Sequence, residues 1–348
     1  MTGRLLAVLC PVLLAMPGMA APDPIDTPRV KAKVKVRHEW AARYQDSRYG
    51  PEVTERFSRT VRIGRTGSVD LSNIAGDVTV TGGTGEEVRI EAVKRARSRN
   101  ESNAKTLLDD LRIEVTELPS RVEIRTVFPR NRRNYSGSVD YTITVPSGAS
   151  ATIRSVSGDL RVTNVKGELR AETVSGNVVT SGATRLSLVK TVSGDIDVTD
   201  AAAEGQVTAS TVSGDLTARG LKARALELGS VSGDIRLTAV TSERASVKTV
   251  SGNVEYEGPL TRNGRYEMTS HSGGVRLAVS ETTGFELEAT TFNGDVRSDF
   301  PLTLRAGIEE RSDRRGRRLN RSIRGSFGDA SAIVTLKSFS GDIVVTKR

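Results

Sequence analysis

The chain has 348 residues, of which 36% are hydrophobic but only 4% aromatic, with 51 Lys and Arg against 42 Asp and Glu, two histidines and one cysteine. So few rings exclude a large aromatic globular core, while the abundance of Val, Thr, Ser, Gly and Ala suits a narrow core of stacked β-branched residues. A single cysteine excludes a disulfide framework, and the net charge of +9 biases the surface toward acidic partners without specifying one.

Residues 1–20 combine Arg4, an apolar run from Leu5 to Met16 and a small-x-small pattern at Gly18-Met19-Ala20, the signature of a secretory signal peptide. No later stretch is apolar enough for a transmembrane segment, so an exported protein of the periplasm or cell surface is expected. Cys10 lies inside that signal behind Leu9, where lipid attachment needs a small residue; cleavage therefore leaves a chain without thiols. It also removes Arg4, leaving 50 basic and 42 acidic residues, a net +8.

Residues 21–58 start with Pro22, Pro24 and Pro28 and show no sustained alternation, so a flexible polar leader is expected, with a short helix near His38 to Tyr44 and Trp40 packing on the first coil. From residue 59 the pattern becomes one of short half-buried strands: Val61 and Ile63, Val69 and Leu71, Val78 and Val80, Val88 and Ile90 alternate with polar residues between glycine clusters. Ala75-Gly76-Asp77 is an early form of the triplet that dominates later. Between these strands, Ala104, Leu107, Leu108 and Leu111 lie on one helical face behind an N-cap at Asn100 or Ser102, predicting a short helix that caps the open sheet end. Residues 59–150 thus form an N-terminal set of strands plus this helix.

Residues 151–348 read as a regular array. Ser-Gly-Asp or Ser-Gly-Asn recurs with glycines at Gly158, Gly176, Gly194, Gly214, Gly233, Gly252, Gly273, Gly294 and Gly341, spaced by 18, 18, 20, 19, 19, 21 and 21 residues and then by 47. A period near twenty predicts units that bury their apolar faces only by stacking: an all-β, parallel β-solenoid. Leu160 and Val162, Ile196 and Val198, Leu216 and Ala218, Ile235 and Leu237, Val254 and Tyr256 fall at fixed offsets and stack inside. The same reading places Val156, Val192, Val212, Val231 and Val250 inward, on the assumption that the bend resets parity. Glycine supplies the positive φ of a tight corner, and Asp, Asn and Ser accept backbone amides there, so Gly158, Gly176, Gly194, Gly214, Gly233, Gly252, Gly294 and Gly341 are structural turns. Weaker bends at Lys166-Gly167, Ser181-Gly182, Glu204-Gly205, Arg219-Gly220 and Asn263-Gly264 predict two faces per coil. About nine coils give a rod on the order of 40 Å long. Residues 305–324 break the period as an exposed Arg-rich loop with eight arginines against three acids; the chain after it closes the array.

Enzyme chemistry finds little footing. The corner acids Asp159, Asp195, Asp215 and Asp234 alternate with Asn177 and Asn253 and have a turn-forming role, His38 and His271 sit in unlike contexts, and no nucleophile elbow is present. One carboxylate per coil does not assemble the six or more oxygens that calcium takes, so no metal or other cofactor is expected. The candidate anionic-ligand patch comprises Arg130, Arg132 and Arg133 in one loop and Arg311, Arg314, Arg315, Arg317, Arg318 and Arg321 in the other.

Glu55-x-Phe57-Ser58-Arg59-Thr60-Val61, Gly76-Asp77-Val78-Thr79-Val80-Thr81-Gly82-Gly83, the segment 91–96, Tyr141 to Ala149 and the following Val-Ser-Gly-Asp repeats resemble the bacterial "putative adhesin" family of exported β-strand-repeat proteins, a domain-of-unknown-function class, across residues 55–348. The resemblance implies a β-solenoid at the surface or in the periplasm and carries no catalytic residues; the Arg-rich insertion is unlike its compact repeats. The expected function is a non-enzymatic, adhesin-like binding or scaffold protein of the envelope, partnered by an anionic polysaccharide, another envelope component or a protein, and not by a specific nucleic acid. The alternative is a carbohydrate-active β-helix enzyme or an anionic-glycan-binding module.

Overall fold

A computed structural model describes residues 50–128, 136–304 and 321–348. These all belong to one compact unit, Val36–Arg348. The expected signal peptide, Trp40 and the helix expected near His38 lie outside the described residues.

Two long sheets face each other, with 13 and 14 strands among the described residues, and neither closes into a barrel. Each repeat contributes one strand to each sheet. The strand Leu160–Thr163, just after a corner, enters the first sheet, and Glu168–Glu172, beyond the second bend, enters the second. Successive repeats pair in parallel and in register: Val178 lies between Leu160 and Ile196, and Leu216 between Ile196 and Ile235. The arrangement is all-β and solenoid-like, with about 4.8 Å between neighbouring rungs.

Register makes the core a set of columns. Val78, Leu160, Val178, Ile196, Leu216, Ile235, Val254, Val275 and Ile343 form one, each at most 1% exposed. A single apolar cluster runs from Val61 to Val345. At the second bend a left-handed residue follows five successive first-sheet strands: Asn164, Gly182, Asp200, Gly220 and Ala239, with φ of 58°, 65°, 49°, 65° and 54°. Glu204-Gly205 is instead a β-bulge within the strand Ala202–Ser210.

The order of rungs departs from the order of sequence at both ends. The rung containing Ser68–Ser72 and Val78–Gly83 lies between the pair Arg121–Val127 and Ser136–Pro146 on one side and the repeat starting at Ser150 on the other. At the far end Ala332–Ser340 and Ile343–Lys347 sit between the repeat at 265–279 and the repeat at 285–298. The last stretch therefore intercalates rather than closing the array, as expected from sequence order. Arg321–Phe327 pairs antiparallel with Phe285–Asn293, so the Arg-rich insertion ends inside a strand. Likewise Glu52–Arg62 is a strand that begins within the stretch assigned to the leader.

The predicted helix spans Glu101–Asp110 and buries Ala104, Leu107 and Leu108 against Val53 and Ala96 of the strands Glu52–Arg62 and Glu87–Arg97. Asn100 takes the extended N-cap conformation without a side-chain capping bond. Beside the helix C-terminus, Lys94 pairs with Glu55 at 2.9 Å and reaches the Leu108 carbonyl at 3.4 Å, where a cation is favoured.

Candidate functional site

The repeated corner is built from Thr-Val-Ser-Gly-Asp, and each residue has one task. The first points inward: Thr191 and Thr211 each donate a hydroxyl bond of 3.0 Å to the glycine carbonyl of the preceding rung, Thr249 does so at 3.1 Å and Ser270 at 2.7 Å. Glycine is obligatory by conformation and by space. Gly214 has φ 149°, and a Cβ there would lie 2.1 Å from the Gly194 carbonyl oxygen. At Gly294 space alone decides, since a Cβ would meet the Gly341 oxygen at 2.3 Å.

The acid column has a structural duty. Asp159 Oδ1 accepts the Asn177 amide at 2.8 Å, Asn177 accepts from Asp195, Asp195 from Asp215, Asp215 from Asp234, and Asp234 from Asn253 at 2.7 Å. Asp or Asn serves equally because only a carbonyl-type oxygen is required. One rung lacks it: Asn253 accepts the Gly274 amide, but Gly274 offers no side chain to the amide of Asp342 in the next rung.

The residue between the inward Thr and the Ser turns outward, which corrects the inward placement of Val156, Val192, Val212, Val231 and Val250. In spatial order Ile74, Val156, Val174, Val192, Val212, Val231, Val250, His271, Phe339 and Phe292 form an exposed ridge, its apolar members 41–50% accessible. The physical reason is parity: the second-sheet strand keeps its alternation up to the corner, so Thr249 follows Ala245 and Val247 inward and Val250 is left outside. The ridge ends in a stack of rings, His271 on Phe339 at 4.7 Å and Phe339 on Phe292 at 4.9 Å, tilted by only 10° and 2°. Sequence reasoning missed this ridge, although the alternation that produces it was readable.

Arg130, Arg132, Arg133, Arg311, Arg314, Arg315, Arg317 and Arg318 lie outside the described residues. Arg321 is not in an open loop but in a strand, paired with Asp295, and Arg324 pairs with Glu288 at 2.6 Å. His271 is a ridge residue, stacked on Phe339. Among the described residues no group of three or more His, Cys, Asp or Glu could hold a metal ion. An open groove of about 620 Å³ lies on the second sheet, lined by Glu227, Arg244, Arg265, Glu267, Glu288 and Lys337 among others. Elsewhere on that face Arg170 donates to Glu168 at 2.7 Å, and this bond holds the Glu168 carboxyl below its ordinary range.

Stacked parallel strands with an amide ladder along their corners define a repetitive, solenoid-like all-β protein. The Toastrack DUF4097 family model matches residues 66–346, and the chain belongs to that family. Similar solved structures include a "putative adhesin" from Parabacteroides distasonis ATCC 8503, 13% identical with a TM-score of 0.42, covering 84% of this chain and 97% of that one. Another "putative adhesin", from Bacteroides fragilis NCTC 9343, is 12% identical with a TM-score of 0.40 and the same coverage. A "putative lipid binding protein" from Parabacteroides distasonis ATCC 8503 is 11% identical with a TM-score of 0.35, covering 84% of this chain and 96% of that one. No curated protein compared with the chain matches it.

Proposed function

We propose that the protein is an exported, non-enzymatic, adhesin-like binding or scaffold protein of the cell envelope, carried on a parallel β-solenoid of about twenty-residue coils. The observation that carries this reading is the use of the corner carboxylates. Each of Asp159, Asp195, Asp215 and Asp234 accepts the amide of the next rung, so the one acidic side chain that recurs throughout the array has a structural task. What the array offers a ligand is its extended, repeated outer surface. The net charge of +9 and the arginines at 130–133 and 311–318 favour an anionic envelope polysaccharide or phosphate. Among the described residues no helix is long and apolar enough to cross a membrane.

The test is retention of the purified chain lacking residues 1–20 on peptidoglycan, lipopolysaccharide and acidic polysaccharides. A variant lacking 309–318 removes arginines while sparing the strand that starts at Arg321. The expected result is binding that requires this segment and weakens with salt. Absence of binding to every component would overturn the reading.

The groove on the second sheet favours a second reading, a carbohydrate-active or glycan-binding module. Glu227 and Glu267 stand two rungs apart in one column of this groove, their backbones roughly 9.6 Å apart, and inverting glycosidases work with two carboxyl groups at a comparable separation. New reducing ends released from the same polysaccharides would decide for it.

A further inference from the structure

The exposed ridge is ten rungs long, and burying it in step demands a partner of the same repeat. Its side chains recur about every 4.8 Å. A helix laid along it advances about 5.4 Å per turn, and an extended strand about 6.8 Å per same-side residue. Over a span of about 43 Å both drift out of step, whereas a second ridge of the same stack stays matched throughout.

The flanks fix the orientation. Two residues before the ridge, on the second sheet, Lys190 and Lys337 are exposed and form no ion pair among the described residues. Three residues after the ridge comes the acid column, so the same two rungs carry Asp195 and Asp342. Laying ridge on ridge about a two-fold axis parallel to the stack sets the basic flank of each copy opposite the acidic flank of the other. A two-fold perpendicular to the stack sets acid against acid.

We propose that the protein forms a parallel two-fold dimer through this ridge, with Lys190 opposite Asp195 of the second copy and Lys337 opposite its Asp342. Nine apolar side chains left nearly half accessible, together with the exposed His271 and the flanks, approach the roughly 800 Å² per partner of a standard specific interface. The stacked rings present edges rather than faces outward, which suits apolar packing better than stacking of a sugar.

Sedimentation of the chain lacking residues 1–20, from about 1 to 100 μM, should show a dimer. Val192→Asp with Val231→Asp should make it monomeric with an unchanged circular dichroism spectrum. Lys190→Glu with Lys337→Glu should raise the dissociation constant tenfold or more. Val156→Cys, close to one end, should form a disulfide with itself across the two copies, because a parallel axis sets equal rungs opposite each other. A monomer at every concentration, a dimer indifferent to the ridge aspartates, or failure of Val156→Cys to cross-link would overturn the proposal. Should the aspartate variant fail to fold, the cross-link decides alone.

Discussion

Thr180 occupies a core column whose neighbours are Val162 and Val198, and its hydroxyl is fully buried without a hydrogen-bond partner. A buried hydroxyl with no partner loses its hydration and recovers nothing. Thr180→Val keeps the shape and removes the orphan, so the unfolding free energy should rise by about 1–2 kcal/mol in urea titration. A decrease would mean that the hydroxyl is satisfied in solution. Position 180 was legible in the sequence as a core site, because it lies four residues beyond Gly176, as Val162 lies beyond Gly158. The ridge is not legible from hydropathy, because the apolar Val before each triplet stands outside while the polar Thr beside it is the buried residue. A hydroxyl in the core looks wrong until its acceptor, the glycine carbonyl one rung away, is in view.

At the level of the corner element, the amide ladder is interrupted at Gly274. In the neighbouring rungs each backbone amide donates to the side-chain oxygen of the rung before, and Gly274 donates to Asn253 Oδ1 without offering an acceptor of its own. A Cβ at position 274 would stand 3.2 Å from the Asp342 carbonyl oxygen, close enough to need a shift of a few tenths of an ångström. Gly274→Asn should therefore complete the ladder and stabilise the protein by about 0.5–1.5 kcal/mol. Asn is preferable to Asp because it places no second carboxylate beside Asp342. An unchanged or lower denaturation midpoint would show that the crowding outweighs the bond. The repeat length, the corner chemistry and the helix were all legible, since each depends on local sequence. The intercalation of Ala332–Lys347 was not, because every repeat carries the same corner and the same inward columns, and such interchangeable edges do not encode which rung follows which.

Along the stack the described core is built mostly of Val, Leu, Ile and Ala, and Tyr141, Tyr256, Tyr266 and Phe285 are its fully buried aromatic side chains. Tyr141 lies near one end, its hydroxyl 2.7 Å from Thr126, which in turn donates to Asn73 at 2.9 Å. Tyr256 lies well along the stack and donates to the Val240 carbonyl at 3.1 Å and the Pro259 carbonyl at 3.0 Å. Burial pushes the Tyr141 hydroxyl up to about 12 and raises Tyr256 further. In the unfolded chain both ionise near 10, so above that pH the folded state holds protons that the unfolded state releases. Their contribution is therefore complete below about pH 10 and is lost as pH rises toward 12, at about 1.4 kcal/mol per pH unit for each tyrosine. Urea midpoints measured between pH 9 and 11.5 should be level at first and then fall. Tyr256→Phe should lower stability at pH 8 through loss of the one hydroxyl proton shared between the two carbonyls, yet make the alkaline decline shallower by one tyrosine's share. Because each rung touches only its neighbours, a stack that unfolds as one unit will show both tyrosines ionising together in ultraviolet absorbance as it melts. Ionisation of one well before the other would show instead that the stack opens from the end nearer to it.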